Sequence, residues 1–233
     1  IVLLALIAAL ICVLVAKGKK KKRMNELRED PTFEPYANGG GIDPAVKVLL
    51  DTKESPIWIG RVHDVGKRSM QQDSFGISDV ESLDAINKKG VMAVVADGMG
   101  GLSDGERMSQ MVVVTMLQGF DKTAEDAVPS STLLGLVGEV NDAVNKDLGS
   151  ERFGKCGSTV VAVIVQDKKL SWISVGDSHI YVYRKGQLVK LNVDHNYGTQ
   201  LDEMVKNGEI SFDEAATDPQ RAALTSFIGI GEL

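Results

Sequence analysis

Residues 91–101 constrain this chain more than any other stretch. Six apolar residues, Val-Met-Ala-Val-Val-Ala, run unbroken into Asp97, and Gly98-Met99-Gly100-Gly101 follow at once. A short run that is apolar on both faces reads as a buried strand over 90–96. That strand delivers a single carboxylate at its end. The three glycines after it permit unusual dihedrals and close backbone approach, so a peptide carbonyl can join the carboxylate in holding a hard cation. An Asp-Gly at a strand end is also a common turn, and the segment by itself leaves both readings open. A nucleotide loop is excluded: no Gly-Lys-Ser/Thr follows, and the dinucleotide spacing would need glycine where Ser103 stands.

The pattern around this strand is mixed. Strands are expected over 57–64 and 74–78 before it. Helices follow over 105–120, with Met108, Met111, Val112 and Met116 on one face, and over 131–148. Strands over 158–166, 170–175, 179–184 and 187–192 come next. Asp167-Lys168 and Lys185-Gly186 are their hairpin turns. Helical stretches over 198–206 and 212–216 precede an irregular 224–229. Strands, two helices and then hairpins predict an α+β fold with antiparallel sheets rather than a doubly wound one.

The first 56 residues differ in kind. Residues 1–16 are apolar throughout, and a helix of that length spans about 24 Å, a little short of a hydrocarbon core of about 30 Å. Residues 17–23 then hold six of the 26 basic residues, with no acidic residue before Glu26. Charges after the apolar run, rather than before it, fit a stop-transfer signal and not a secretory leader. The expectation is a single-pass transmembrane helix over 1–16, in the cell membrane, with the body of the protein cytoplasmic. Residues 17–56 form a basic and then polar, Pro/Gly-rich linker, with a short helix over 45–50. The rest of the chain carries 20 basic against 32 acidic residues, a balance of −12, which argues against nonspecific nucleic-acid binding. Cys12 and Cys156 make no disulfide framework, in keeping with a reducing compartment.

Two further elements bear on the chemistry. Arg68 stands five residues ahead of Asp73, which opens a strand, and Gly176-Asp177-Ser178 forms a turn between two strands. Gly66-Lys67-Arg68 with Gln71-Gln72-Asp73, Asp97-Gly98-Met99-Gly100-Gly101, Gly157-Ser158-Thr159, Val175-Gly176-Asp177-Ser178 with Tyr181-Val182-Tyr183-Arg184, Asp194-His195, and Leu224-Thr225 with Gly229 follow in order. In that order they resemble the PPM family of protein phosphatases, type 2C, from about Trp58 onward.

The resemblance implies a four-layer α-β-β-α sandwich with two mainly antiparallel sheets, occupying 57–233 and incomplete at its C-terminal end. It implies a phosphoserine/phosphothreonine phosphatase in which two Mg²⁺ or Mn²⁺ ions activate a water. Asp73 and Asp97 would be metal-ligating carboxylates, Gly98 would lend its backbone carbonyl, and Arg68 would hold the phosphate. Asp177 matches an aspartate linked to a third, weaker metal position, though an Asp-Ser in a hairpin turn also caps itself. Phosphorylated proteins and a cognate Ser/Thr kinase are the implied partners. The chain departs from the family in carrying Gln72 where Glu is frequent and Met99 where many members have histidine; His63 and His195 read as structural. The later Asp-Gly and Asp-Asn ligands of the family would lie past Leu233. The chain therefore reads as the front part of a longer protein, inactive alone; a catalytically inactive scaffold or sensor is the alternative.

Overall fold

The computed structural model describes residues 14–15, 46–48, 57–78, 83–101 and 104–233. Its elements, in chain order, are β1 (Leu14–Val15), β2 (Val46–Val48), β3 (Ile57–Ile59), β4 (Asp73–Ile77), α1 (Leu83–Lys89), β5 (Val91–Met99), α2 (Asp104–Lys122) and α3 (Pro129–Leu148). They continue with β6 (Gly157–Ser158), β7 (Val160–Gln166), β8 (Lys169–Val175), β9 (Tyr181–Arg184), β10 (Gln187–Lys190), α4 (Tyr197–Lys206) and α5 (Phe212–Thr217).

The central sheet has the order β4-β5-β7-β8, all neighbours antiparallel, with β6 pairing the end of β5. The apolar run forms its middle: Val91 to Ala96 are buried, with Met92, Val94 and Ala96 on one face and Ala93 and Val95 on the other. The two long helices cover the first face. In α2 the buried stripe is Met108, Val112, Met116 and Phe120, and in α3 it is Leu133, Val137, Val140 and Val144, spaced by helical turns. They enclose Met92, Val94, Val160, Ala162 and Ile164 in one cluster. Each such side chain contributes about 1.5–3 kcal/mol by leaving water. Against the opposite face, Ala93, Val95, Val161 and Val163 meet Ile180 and Leu191, which flank the β9–β10 hairpin.

Both expected hairpin turns form. Asp167 and Lys168 have φ of 50° and 63°, and Lys185 and Gly186 have φ of 53° and 83°, the left-handed pair that matches strand twist. The α+β architecture with antiparallel sheets is as the pattern predicts. Two local expectations are corrected, and one element is added. The strand over 57–64 stops at Ile59, because Asp64 Oδ1 accepts the Gly66 N–H at 2.9 Å and turns an exposed segment that has no face to bury. Within the helix expected over 45–50, Val46–Val48 is a strand paired with β3, since alternating β-branched residues suit a pleat. The short helix α1 carries no strong sequence pattern and is an addition to the expected elements.

The expected transmembrane helix over 1–16 lies outside the described residues except for Leu14–Val15, which pair with β3. Among the described residues no helix is long and apolar enough to cross a membrane.

Candidate metal and phosphate site

Antiparallel register brings the first two carboxylates together. Asp73 opens β4 and Asp97 nears the end of β5, and the two are direct cross-strand partners. Ser78 fixes the far end of that pairing, where its N–H reaches the Met92 carbonyl at 2.8 Å and its Oγ accepts the Met92 N–H at 3.0 Å. At the near end the Gly98 N–H donates to the Gln72 carbonyl at 3.0 Å. Sequence separation hides the pair, and strand register creates it.

The backbone of each carboxylate is held by hydroxyls. Ser109, fully buried on α2, donates to the Gln72 carbonyl at 2.6 Å and meets Ser74 Oγ at 2.9 Å, so it grips both neighbours of Asp73. The Asp97 carbonyl accepts the Thr159 N–H at 2.8 Å and Ser158 Oγ at 3.0 Å, while its own N–H donates to Thr159 Oγ1 at 3.0 Å. Ser109 was legible only as a polar residue inside the apolar stripe of a helix.

Gly98 is buried where two segments converge. A Cβ there would lie inside the Gly105 carbonyl at the start of α2 and 2.7 Å from the Gln72 carbonyl oxygen. Gly105 in turn leaves room for the Gln72 side chain, whose Nε2 would be 2.7 Å from an added Cβ. Glycine at both positions is what lets the first turn of α2 touch the carboxylate-bearing strands.

Two further charged side chains act on the pair electrostatically. Burial pushes the Asp97 carboxyl up to about 7, reinforced by the Asp73 charge and by a carboxyl–carboxylate hydrogen bond to it. The Arg68 guanidinium pulls the other way, and the Asp177 charge adds to the rise. Arg68 sits on an exposed turn, its N–H bonded to the Val65 carbonyl at 3.2 Å. Asp177 follows β8 in a turn braced by His195, whose N–H donates to the Gly176 carbonyl at 3.0 Å and whose Nδ1 accepts the Gly176 N–H at 3.3 Å. His63 Nε2 donates to the Asp73 carbonyl at 3.2 Å, and its ring meets Phe75 edge-on. Both histidines therefore hold backbone. Met99 closes β5 opposite Gly157.

Two adjacent carboxylates, one of them protonated to about pH 7, form an arrangement that a cation would relieve. Carboxylate and carbonyl oxygens suit hard divalent ions such as Mg²⁺ or Mn²⁺. Among the described residues no three His, Cys, Asp or Glu side chains gather at one point. The donor set of Asp73, Asp97 and the Gly98 carbonyl is thus an open one that fits such ions and leaves positions for water or further oxygen ligands.

Comparison with known proteins agrees with this geometry. Residues 60–208 match the family model for protein phosphatase 2C. The chain belongs to the protein phosphatase 2C family. A Streptococcus pyogenes serotype M6 protein assigned to the 2C type of protein phosphatase is 36% identical over 172 residues, covering 71% of this chain and 65% of its own length. The crystal structure of the PPM Ser-Thr phosphatase MsPP from Mycobacterium smegmatis, in complex with cacodylate, has 32% identity and a TM-score of 0.52, over 70% of this chain and 63% of that one. The catalytic domain of the serine threonine protein phosphatase PstP, in complex with 2 manganese ions, has a TM-score of 0.53 over 71% of this chain and 63% of its own. At 23% identity that likeness speaks to the fold alone. The chain spans a little under two thirds of the lengths of these relatives.

Proposed function

We propose that this chain carries metal-ligating and phosphate-holding residues of the active site of a Mg²⁺- or Mn²⁺-dependent protein serine/threonine phosphatase. The observation that carries the reading is the cross-strand pairing of Asp73 with Asp97, locked by the Gly98 N–H on the Gln72 carbonyl. Asp73, Asp97 and the Gly98 carbonyl would hold the ions. Two such ions bound there would supply a water acidified toward a pKa of about 7 and charge stabilisation for in-line attack on phosphorus.

The chain's own residues do the rest. Arg68, on its exposed turn, is free of the core and can present a forked pair of N–H donors to two phosphate oxygens, a geometry lysine cannot reproduce. The partly buried Asp97 carboxyl gives up its proton to receive a cation, so cation binding competes with protons up to about pH 7. Asp177, whose charge adds to the rise at Asp97, is the candidate for a third, weaker cation position.

The same proposal extends to architecture and place. The β9–β10 hairpin, joined to the central sheet through Ile180 and Leu191, belongs to a second stacked sheet of a four-layer α-β-β-α sandwich. The apolar residues ahead of the β1 pairing anchor the protein in the cell membrane, and the basic 17–23 keep residues 57–233 on the cytoplasmic side. Phosphoserine and phosphothreonine proteins are the substrates, opposed by a Ser/Thr kinase at the same membrane. Hydrolysis of a phosphothreonine peptide by the full-length protein, with and without Mn²⁺, tests the reading. Mn²⁺-dependent release of phosphate that Asp97→Asn removes is expected. No turnover with either metal would leave the scaffold reading in its place.

A further inference from the structure

We propose that Thr159 is a positioning residue that holds Asp97 and the Asp177 turn at a fixed separation, making cation binding depend on a side chain that itself ligates nothing. The proposal rests on the phosphatase reading above and names a part of the same site.

Thr159 touches both carboxylate-bearing segments with different atoms. Its Oγ1 accepts the Asp97 N–H at 3.0 Å and pairs with Ser178 Oγ at 2.7 Å. Its N–H returns to the Asp97 carbonyl at 2.8 Å. Its methyl lies against Gly176, where an added Cβ would stand 2.6 Å from Thr159 Cγ2 and 2.8 Å from Thr159 Cβ. Gly176 has φ of 101°, so that close approach and the turn's shape both require glycine. Residues 176 and 178, the two neighbours of Asp177, are thus both in contact with one side chain.

Burial makes the hydroxyl irreplaceable by solvent. Thr159 is 2% exposed and Ser178 6%. Removing the hydroxyl would leave the Asp97 N–H and the Ser178 hydroxyl without their partner in a dry site. The turn itself would survive, because His195 holds Gly176 independently through two hydrogen bonds. What is lost is the tie between the turn and Asp97. Partners that orient metal ligands from behind characteristically change metal affinity about 10–100-fold when removed.

Two substitutions separate the hydroxyl from the methyl. Thr159→Val keeps shape and methyl and loses the hydrogen bonds; Thr159→Ser keeps the hydroxyl. The experiment is calorimetric titration of the full-length protein with MnCl₂, with urea unfolding as the control for fold. Thr159→Val is expected to weaken Mn²⁺ binding about tenfold or more, with Thr159→Ser remaining near the natural protein. Ser178→Ala removes the other end of the same bond, so it should weaken binding in the same direction, and the double variant should be no weaker than the worse single one. Should Thr159→Val fail to fold, Ser178→Ala carries the test alone. A Thr159→Val isotherm superimposed on that of the natural protein, or an unaltered Ser178→Ala, overturns the proposal while the phosphatase reading stands. If the natural protein binds no Mn²⁺ and hydrolyses no phosphopeptide, the phosphatase reading falls and the proposal falls with it.

Discussion

Replacing Asp97 by Asn should make the metal-free protein more stable and less functional, and the size of the gain follows from the carboxyl's surroundings. Burial, then Asp73, lift its pKa from 3.8 to about 7 in the folded chain. A carboxylate whose folded pKa is raised is disfavoured as an anion in the fold. Below about pH 4 both folded and unfolded states hold the proton, and no penalty exists. Between about pH 4 and 7 the folded state binds one more proton than the unfolded one, so stability falls by about 1.4 kcal/mol per pH unit. Above pH 7 the penalty is constant. A shift of roughly 3 units corresponds to about 4 kcal/mol, a ceiling because Asp73 carries part of the same repulsion.

Asn has no charge to desolvate. The hydrogen bonds that anchor residue 97 run through its backbone, to Thr159 and Ser158, and survive the substitution. Urea unfolding in EDTA should therefore show Asp97→Asn near the natural protein at pH 4 and more stable by up to about 4 kcal/mol at pH 8. Mn²⁺ should narrow and then close that gap, since a ligand stabilises the natural protein by about 2.7 kcal/mol at 100 times its Kd and by about 4.1 kcal/mol at 1,000 times. A difference that is independent of pH, or an Asn variant less stable than the natural protein at pH 8 in EDTA, would refute the reasoning.

Three other perturbations have expected outcomes. Arg68→Lys should lower kcat/KM on a phosphopeptide by at least tenfold while leaving the Mn²⁺ isotherm and Tm unchanged, because the exposed guanidinium meets phosphate rather than the core. Gly98→Ala forces a methyl against the Gly105 and Gln72 carbonyls and should cost about 1–3 kcal/mol in urea unfolding, with Mn²⁺ binding weakened as well. Gln72→Glu adds a negative charge beside the pair and should tighten Mn²⁺ binding; coincident titration curves would remove that idea.

Much of the fold was legible because its signals are local. The apolar run to Ala96, the four-residue spacing of Met108, Val112 and Met116, and the turn pairs Asp167-Lys168 and Lys185-Gly186 each specify an element within a short window. Asp73 and Asp97 could be singled out as residues, yet their meeting depends on β4–β5 register, a long-range property. The hydroxyl supports were less legible still. Thr159 and Ser178 lie 19 residues apart, and Ser109 acts on Gln72 from 37 residues away, so no spacing rule connects them. The segment after Ile59 departs from the expected strand because an apolar residue there, Val62, is exposed rather than paired.

Mn²⁺-dependent hydrolysis of a phosphothreonine peptide is the most direct measurement, comparing the full-length protein with its Asp73→Asn and Asp97→Asn variants. The account predicts phosphate release that needs Mn²⁺ or Mg²⁺ and is lost in both variants while both remain folded. Hydrolysis that persists undiminished in either variant, or in EDTA, would contradict the claim that these two cross-strand carboxylates form the metal site.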